Sequence, residues 1–348
     1  MGEAILVVGG GVAGISASLC IARLGVPAVL VENEGMLGGF AGQFCCKATD
    51  SCAYCGACVA DELVREVAEV PLIDVRTNTT VRTALRKAQD FEIVLSGAGG
   101  GSVMACAVVV ATGFAPFDGK NRAGATALTQ SPDIVTGLEV ERMLRQEGRV
   151  LRPSNGKEPG RVAFIQCVGS RSRRFGSPEC SRVCCPYAIR LARRIRHQLP
   201  GCGITVFHMD LQGIRKVAVD LYGRFGEEIE FTRGIPSEVV RDSSDALAVR
   251  YEDTSSGRIK REKYDLVVLS VGIEPRADAG EVAGIFGLSR AAGGFFETDG
   301  AAGLSAGGAG GVFLAGACAG PKDIRGSIAQ GKAAGHAAAQ RAREKTPR

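Results

Sequence analysis

Nine of the thirteen cysteines in this 348-residue chain fall into two groups, and thiols at such spacing do metal or redox chemistry. The later group, Cys167, Cys180, Cys184 and Cys185, reads C-x12-C-x3-C-C. Pro186 fits the first turn of a helix running to about His197, which puts Cys184 and Cys185 at its N-terminus. There the helix dipole favours thiolates. Four thiolates around one helix start suit a [4Fe–4S] cluster. Zinc could take the same ligands but would have no redox use, and four unligated thiols are the third reading. The earlier group, Cys45, Cys46, Cys52, Cys55 and Cys58, contains C-x2-C-x2-C, for which Cys45 or Cys46 could supply a fourth ligand. The remaining four, Cys20, Cys106, Cys202 and Cys318, are expected to be buried as small hydrophobes.

The second chemical signal is Gly9-Gly10-Gly11-Val12-Ala13-Gly14, a GxGxxG. Gly9 permits a tight turn, Gly11 lets the backbone approach a pyrophosphate, and Gly14 lets helix and strand pack closely. The elements that must position this loop are present. Residues 4–9 form an apolar run suited to a buried parallel strand, and a helix-compatible stretch follows from Val12 to Arg23. A second apolar run, Ala28 to Val31, ends at Glu32, whose carboxylate can accept from a ribose hydroxyl. A helix N-terminus behind the loop supplies N–H donors to phosphate, so this βαβ unit predicts dinucleotide binding.

Downstream, the strand from Ala107 ends in Ala111-Thr112-Gly113, and the strand from Gly311 ends at Gly316, before a small-residue helix from about Ser327 to Arg343. In these features the chain resembles the two-dinucleotide-binding flavoproteins. The resemblance implies an α/β fold: an FAD-binding Rossmann-like domain split by an inserted second Rossmann-like domain, as in thioredoxin reductases. The divisions expected are 1–125 and 276–348 for the FAD-binding domain, 126–159 for a connecting segment with one helix (Gly137 to Glu147), and 160–275 for the insert. The resemblance also implies the FAD contacts: Gly9, Gly11, Val12, Ala13, Gly14, Glu32, Gly39, Gln43, Val81, Ala111, Thr112, Gly113, Gly316, Ala317, Lys322 and Ile324. Lys322 could tune the flavin or be a surface lysine. Where such flavoproteins carry an Asp on the ribityl chain, this one has Gly316-Ala317-Cys318, so a backbone N–H or another group must serve.

The insert would ordinarily hold NAD(P)H, and its sequence argues against that. After the strand Arg161 to Ile165 there is no second GxGxxG; Gln166-Cys167-Val168-Gly169-Ser170-Arg171 stands in its place. With Phe164-Ile165 before it, this string resembles the A subunit of heterodisulfide reductases. So do Cys180-Ser181-Arg182-Val183-Cys184-Cys185, residues 152–159, His208-Met209-Asp210 and Gly316 to Ile324. The resemblance covers nearly the whole chain. It implies FAD, a [4Fe–4S] cluster on Cys167, Cys180, Cys184 and Cys185, partner subunits that receive or supply electrons, and a homodimer. The length matches the short homologues of bacterial sulfur-metabolism complexes, without the ferredoxin-type domains of the methanogen protein. For Cys45 to Cys58 three readings stay open: a second iron–sulfur cluster, a redox disulfide facing the flavin as in disulfide reductases, or unligated thiols. A stand-alone NAD(P)H-dependent disulfide reductase and a flavoprotein scaffold without turnover remain the alternatives to an electron-transfer subunit.

Composition excludes other classes. Net charge is only 42 − 37 = +5 and there is no Trp, so nucleic acid is not an expected partner. The long charge-free stretches, Ile93 to Phe117 and Gly300 to Pro321, are too rich in Gly to span a bilayer, and the N-terminus lacks a basic signal-peptide region. A cytoplasmic protein without membrane insertion is expected. The three His fall in no acid–base constellation, and Arg171, Arg173 and Arg174 read as a solvated basic loop or a phosphate site.

Overall fold

Short buried strands joined by glycine turns set up the first half of the structure. The computed structural model describes residues 4–121, 127–128, 130–173, 177–212, 229–243, 245–299, 305–306 and 310–345. Strand β1 (Ala4–Val8) runs into helix α1 (Val12–Arg23), and β2 (Ala28–Val31) returns parallel to β1. Helix α2 (Ala57–Ala68) leads to β3 (Ile73–Arg76), parallel to β2. Then β4 (Thr79–Lys87), β5 (Asp90–Gly97) and β6 (Gly101–Val110) form an antiparallel meander whose last strand lies parallel to β1. Parallel strands covered on both faces have no polar side, which is why β1 and β2 read as unbroken apolar runs.

The middle of the chain builds a second sheet. Strand β7 (Ile134–Thr136) precedes α3 (Gly137–Gln146), which starts with a capping box between Thr136 and Glu139. Strand β8 (Arg161–Val168), α4 (Cys184–Gln198), β9 (Gly203–His208) and β10 (Glu230–Arg233) follow. An antiparallel ribbon, β11 (Glu238–Arg241), β12 (Leu247–Asp253) and β13 (Arg258–Tyr264), leads to β14 (Leu266–Val271). The five parallel strands stand in the order β10-β9-β8-β14-β7. Alternate residues of β8 face two cores: Val162 and Phe164 share one with Ala188 and Leu191 of α4, and Ala163 and Ile165 share the other with Tyr251 of β12.

The chain then returns to the first sheet with α5 (Ala279–Phe286), β15 (Val312–Leu314) and α6 (Ile324–Lys345). Strand β15 pairs parallel to β6, giving the order β15-β6-β1-β2-β3. Small residues let α6 lie on α1 backbone to backbone. A Cβ on Gly331 would stand 2.2 Å from Ala13 O, and one on Gly335 2.5 Å from Ala17 O.

The chain divides into two units, residues 1–42, 56–115 and 274–348 in one and 43–55 and 116–273 in the other. This differs from the sequence expectation in three places, the first being that the second unit begins at Pro116, ahead of the boundary expected at 125. The segment 126–159 is no bare connector, because β7 joins the second sheet and α3 packs into its core. The short stretch 43–55, expected with the FAD-binding domain, groups with the second unit. Among the described residues no helix is long and apolar enough to cross a membrane.

Candidate functional site

In the first unit, the glycine loop is shaped by contacts that only some of its positions forbid. Gly9 has φ +109°, and a Cβ there would stand 2.4 Å from Ala111 O. A Cβ on Gly14 would stand 1.8 Å from Gly9 O. Gly11, between them, has no atom within 4 Å of its would-be Cβ. It caps α1 with no side-chain hydrogen bond, and no acidic residue lies in the first turn. The opening N–H groups of α1 are therefore offered to an anion across an open glycine, the arrangement a pyrophosphate needs. Glu32 is buried, and its carboxylate accepts from Gly10 N at 2.6 Å and Glu34 N at 2.9 Å. It fixes the loop and keeps further lone pairs for a hydroxyl.

Of the other expected FAD residues of this unit, Gly39, Ala111, Thr112 and Gly316 lie against that loop or the start of α1. Val12 and Ala13 are buried at the start of α1. A Cβ on Gly39 would lie 3.3 Å from Gly11 Cα. Val81 is buried on β4, and Ala111, Thr112 and Gly113 follow β6, with Gly113 at φ +77° and open. Gly316, at φ +76°, meets Ala13 and donates its N–H to Gln330 Oε1 at 2.8 Å. Ala317 is buried, Ile324 packs against Gly56, and Lys322 Nζ donates to Gly320 O at 3.4 Å. Cys318 turns inward, its thiol donating to Val110 O and Ala315 O, and burial pushes it up to about 11. Gln43 is the exception. It belongs to the other unit, where its carboxamide oxygen accepts from Arg142 at 3.0 and 2.9 Å. Phe40 and Phe114, with ring centroids 5.0 Å apart, are a pair the sequence reading missed, because nothing local links them.

In the second unit, three of the four cysteines of the C-x12-C-x3-C-C group meet. Cys184 and Cys185 occupy the first turn of α4, and Cys167 lies close enough to both for the thiols to shift one another's titration. These contacts hold the Cys184 proton in place. Cys185 goes down to about 7 through its bond with Cys184, against burial, with help from the Gln212 backbone N–H and the charge of Arg171. Cys167 is lowered for the same first reason, with Arg171 beside it. Cys180 is half-buried on the neighbouring loop and accepts from Arg182 N at 3.3 Å.

The loops that carry these thiols are strained and stitched together. Cys167, Arg171 and Arg182 are non-glycine residues at φ +61°, +58° and +61°. The Ser170 and Ser181 hydroxyls pair at 2.5 Å, and Ser181 Oγ accepts from Ile273 N at 3.1 Å. Gly272 makes room, since a Cβ there would strike both hydroxyls. Arg171 forks onto Asp210 as well as touching Cys167, which holds the Asp210 carboxyl below its ordinary range. Arg171 is thus neither a free solvated arginine nor a lone phosphate ligand, and Arg174 lies outside the described residues. Asp210 and Gln212 were missed as site residues; the His208-Met209-Asp210 string was their signal.

Among the described residues no three His, Cys, Asp or Glu can hold a single metal ion. Four cysteines are an all-thiolate donor set, and a four-iron cluster takes one thiolate at each of its four corners.

The earlier cysteine group separates. Cys45 lies in the core with Val140 and Leu144, its N–H donates to Glu141 Oε2 at 3.0 Å, and burial with the Glu141 charge pushes its thiol up to about 12. It is a poor thiolate. Cys46, Cys52 and Cys58 are exposed and Cys55 is half-buried, and the division between the units falls between Cys55 and Cys58. Of the isolated cysteines, Cys106, Cys202 and Cys318 are buried, but Cys20 is only partly so. The 43–55 segment is latched by Arg145 to Phe44 O at 2.7 Å, Arg190 to Ala53 O at 3.0 Å, and a Lys47–Glu141 ion pair with side chains 3% and 4% exposed. Glu141→Gln strands the Lys47 charge in the interior and is expected to cost about 3–5 kcal/mol in urea denaturation.

Residues 4–107 match the FAD-dependent oxidoreductase family. The chain is 33% identical, over 96% of its own length, to an iron-sulfur A subunit of the CoB–CoM heterodisulfide reductase of Methanopyrus kandleri. The chain is a homologue of the heterodisulfide reductase A subunits. It covers 63% of that relative. It is 38% identical to the A subunit of the H2:CoB–CoM heterodisulfide, ferredoxin reductase of Methanothermobacter marburgensis, over 67% of its length and 36% of the relative's. In fold it is similar to Lactococcus lactis thioredoxin reductase, with a TM-score of 0.63, 17% identity, and 98% and 99% of the two chains covered. The fold is that of the thioredoxin reductase-like flavoproteins.

Proposed function

We propose that the chain is an electron-transfer oxidoreductase subunit that holds FAD in the first unit and a [4Fe–4S] cluster on Cys167, Cys180, Cys184 and Cys185 in the second. One observation carries the reading. At the end of β8, where a nucleotide-binding domain has its phosphate loop, three thiols converge on the uncapped start of α4. When bound, FAD supplies two-electron chemistry and the cluster single-electron transfer. The chain's part is to bind and set potentials. Gly11 and α1 receive the pyrophosphate, and Glu32 a ribose hydroxyl. Arg171, fixed by Asp210, keeps positive charge beside the thiolates. Lys322 stands just before α6 as a candidate flavin-tuning group.

The relatives are named as components of larger reductases, which supports work with partner subunits in a heterodisulfide reductase-like complex of sulfur metabolism. Thiol or sulfane-sulfur chemistry would then sit on a partner. A cytoplasmic homodimer fits this assignment. The test is iron, acid-labile sulfide and flavin per chain after anaerobic purification. About four iron, four sulfide and one FAD are expected, with no rapid bleaching by NADH or NADPH. FAD without iron or sulfide, or fast bleaching by either nucleotide, overturns the proposal in favour of a stand-alone disulfide reductase.

A further inference from the structure

Gln166 is 1% exposed, and both its carboxamide oxygen and nitrogen are buried without a hydrogen-bond partner. A chain does not keep such a group in its interior without cost. It stands where β8 loses its regular pairing: the register with β14 holds through Ile165 and has shifted by Val168. Val162 and Phe164 pack with Ala188 and Leu191 of α4, while Ala163 and Ile165 belong to the opposite core. Gln166 and Cys167 occupy that irregularity at the carboxyl end of β8. Because α4 begins at the carboxyl end of β8 and runs back along it, Gln166 lies toward the turn that carries Cys184 and Cys185. Tyr187 walls the same turn, its hydroxyl donating to Val271 O at 3.1 Å. The next residue, Cys167, interacts with Cys184.

We propose that Gln166 is a positioning residue for the cysteine site, its carboxamide N–H groups donating to the sulfur atoms at the start of α4. The proposal rests on the cluster reading above. A neutral donor aimed at sulfur stabilises the more negative, reduced state of a bound cluster and raises its potential at every pH. Gln166→Leu and Gln166→Met both remove the donor, and the second keeps the length of the side chain.

The experiment is an EPR-monitored redox titration of the iron-replete proteins, with iron and FAD counted in each. Both variants are expected to keep iron and FAD and to shift the cluster's reduction equilibrium about tenfold toward the oxidised form, ~59 mV lower for one electron. In cluster-free protein, Gln166→Met is expected to raise the melting temperature, because it removes an unpaired polar group. An unchanged potential with full iron overturns the assignment alone. So does a lowered melting temperature of the cluster-free variant, which would show the carboxamide satisfied within the protein. Absence of iron from the unsubstituted protein overturns the cluster reading and this assignment together.

Discussion

Cys180→Ser is expected to take iron from about four per chain to near none, while FAD stays at one. The cluster reading makes the demand specific. Cys167, Cys184 and Cys185 meet at the start of α4, and a four-iron cluster needs a fourth thiolate. Cys180 is the remaining member of the motif, half-buried on the adjoining loop, with Arg182 N–H already aimed at its sulfur. A serine hydroxyl cannot ionise near neutral pH as a thiol does, so the corner is lost. The residues of the FAD cradle stand in the other unit and are untouched by the change. Cys45→Ser is the contrasting case. It places a hydroxyl in an apolar core, so it is expected to leave iron unchanged and to lower stability by roughly 1–3 kcal/mol. Iron retained in Cys180→Ser would sink the four-cysteine assignment.

Gly14→Ala and Gly11→Ala are expected to weaken FAD binding by different routes. At Gly14 the new Cβ meets the carbonyl oxygen of Gly9 at 1.8 Å, and backbone cannot swing aside as a side chain can. The turn between β1 and α1 must open, so FAD-free protein itself is expected to lose about 1–3 kcal/mol or more. At Gly11 the backbone has φ −74°, which alanine adopts freely, and nothing lies within 4 Å. FAD-free Gly11→Ala is therefore expected to melt within ~0.5 kcal/mol of the unsubstituted chain. Its FAD affinity is expected to fall roughly a hundredfold, ~2.8 kcal/mol, because the methyl takes the space of the pyrophosphate. Thermal melts of FAD-free protein with flavin-binding titrations separate the two. Tight FAD binding by Gly11→Ala would place the pyrophosphate elsewhere.

Much of this chemistry was legible from local spacing. The β1-loop-α1-β2 unit and Glu32 lie within 32 residues, and each glycine's task follows from one turn of backbone. Pro186 marked the start of α4, so the placement of Cys184 and Cys185 at its first turn needed no tertiary knowledge. The helix from Gly137 was likewise readable, but its membership of the second sheet's core was not, because that depends on Val140 and Leu144 meeting β8 and β14.

By itself, the sequence determined which residue types stand beside which helix starts and strand ends, since covalent neighbours settle turns, caps and periodicity. Only the tertiary structure decided which distant groups share a space. It joined Arg171 to Asp210 across 39 positions and Cys45 to Glu141 across 96. It drew residues 43–55 onto the second unit through a buried Lys47–Glu141 pair, which grouped Gln43 with that unit and took Cys45 from the reactive thiols. Burial is what made the difference. A thiol's reactivity and a carboxamide's need for a partner are set by the water excluded around them, and that exclusion comes from elements far apart in the chain.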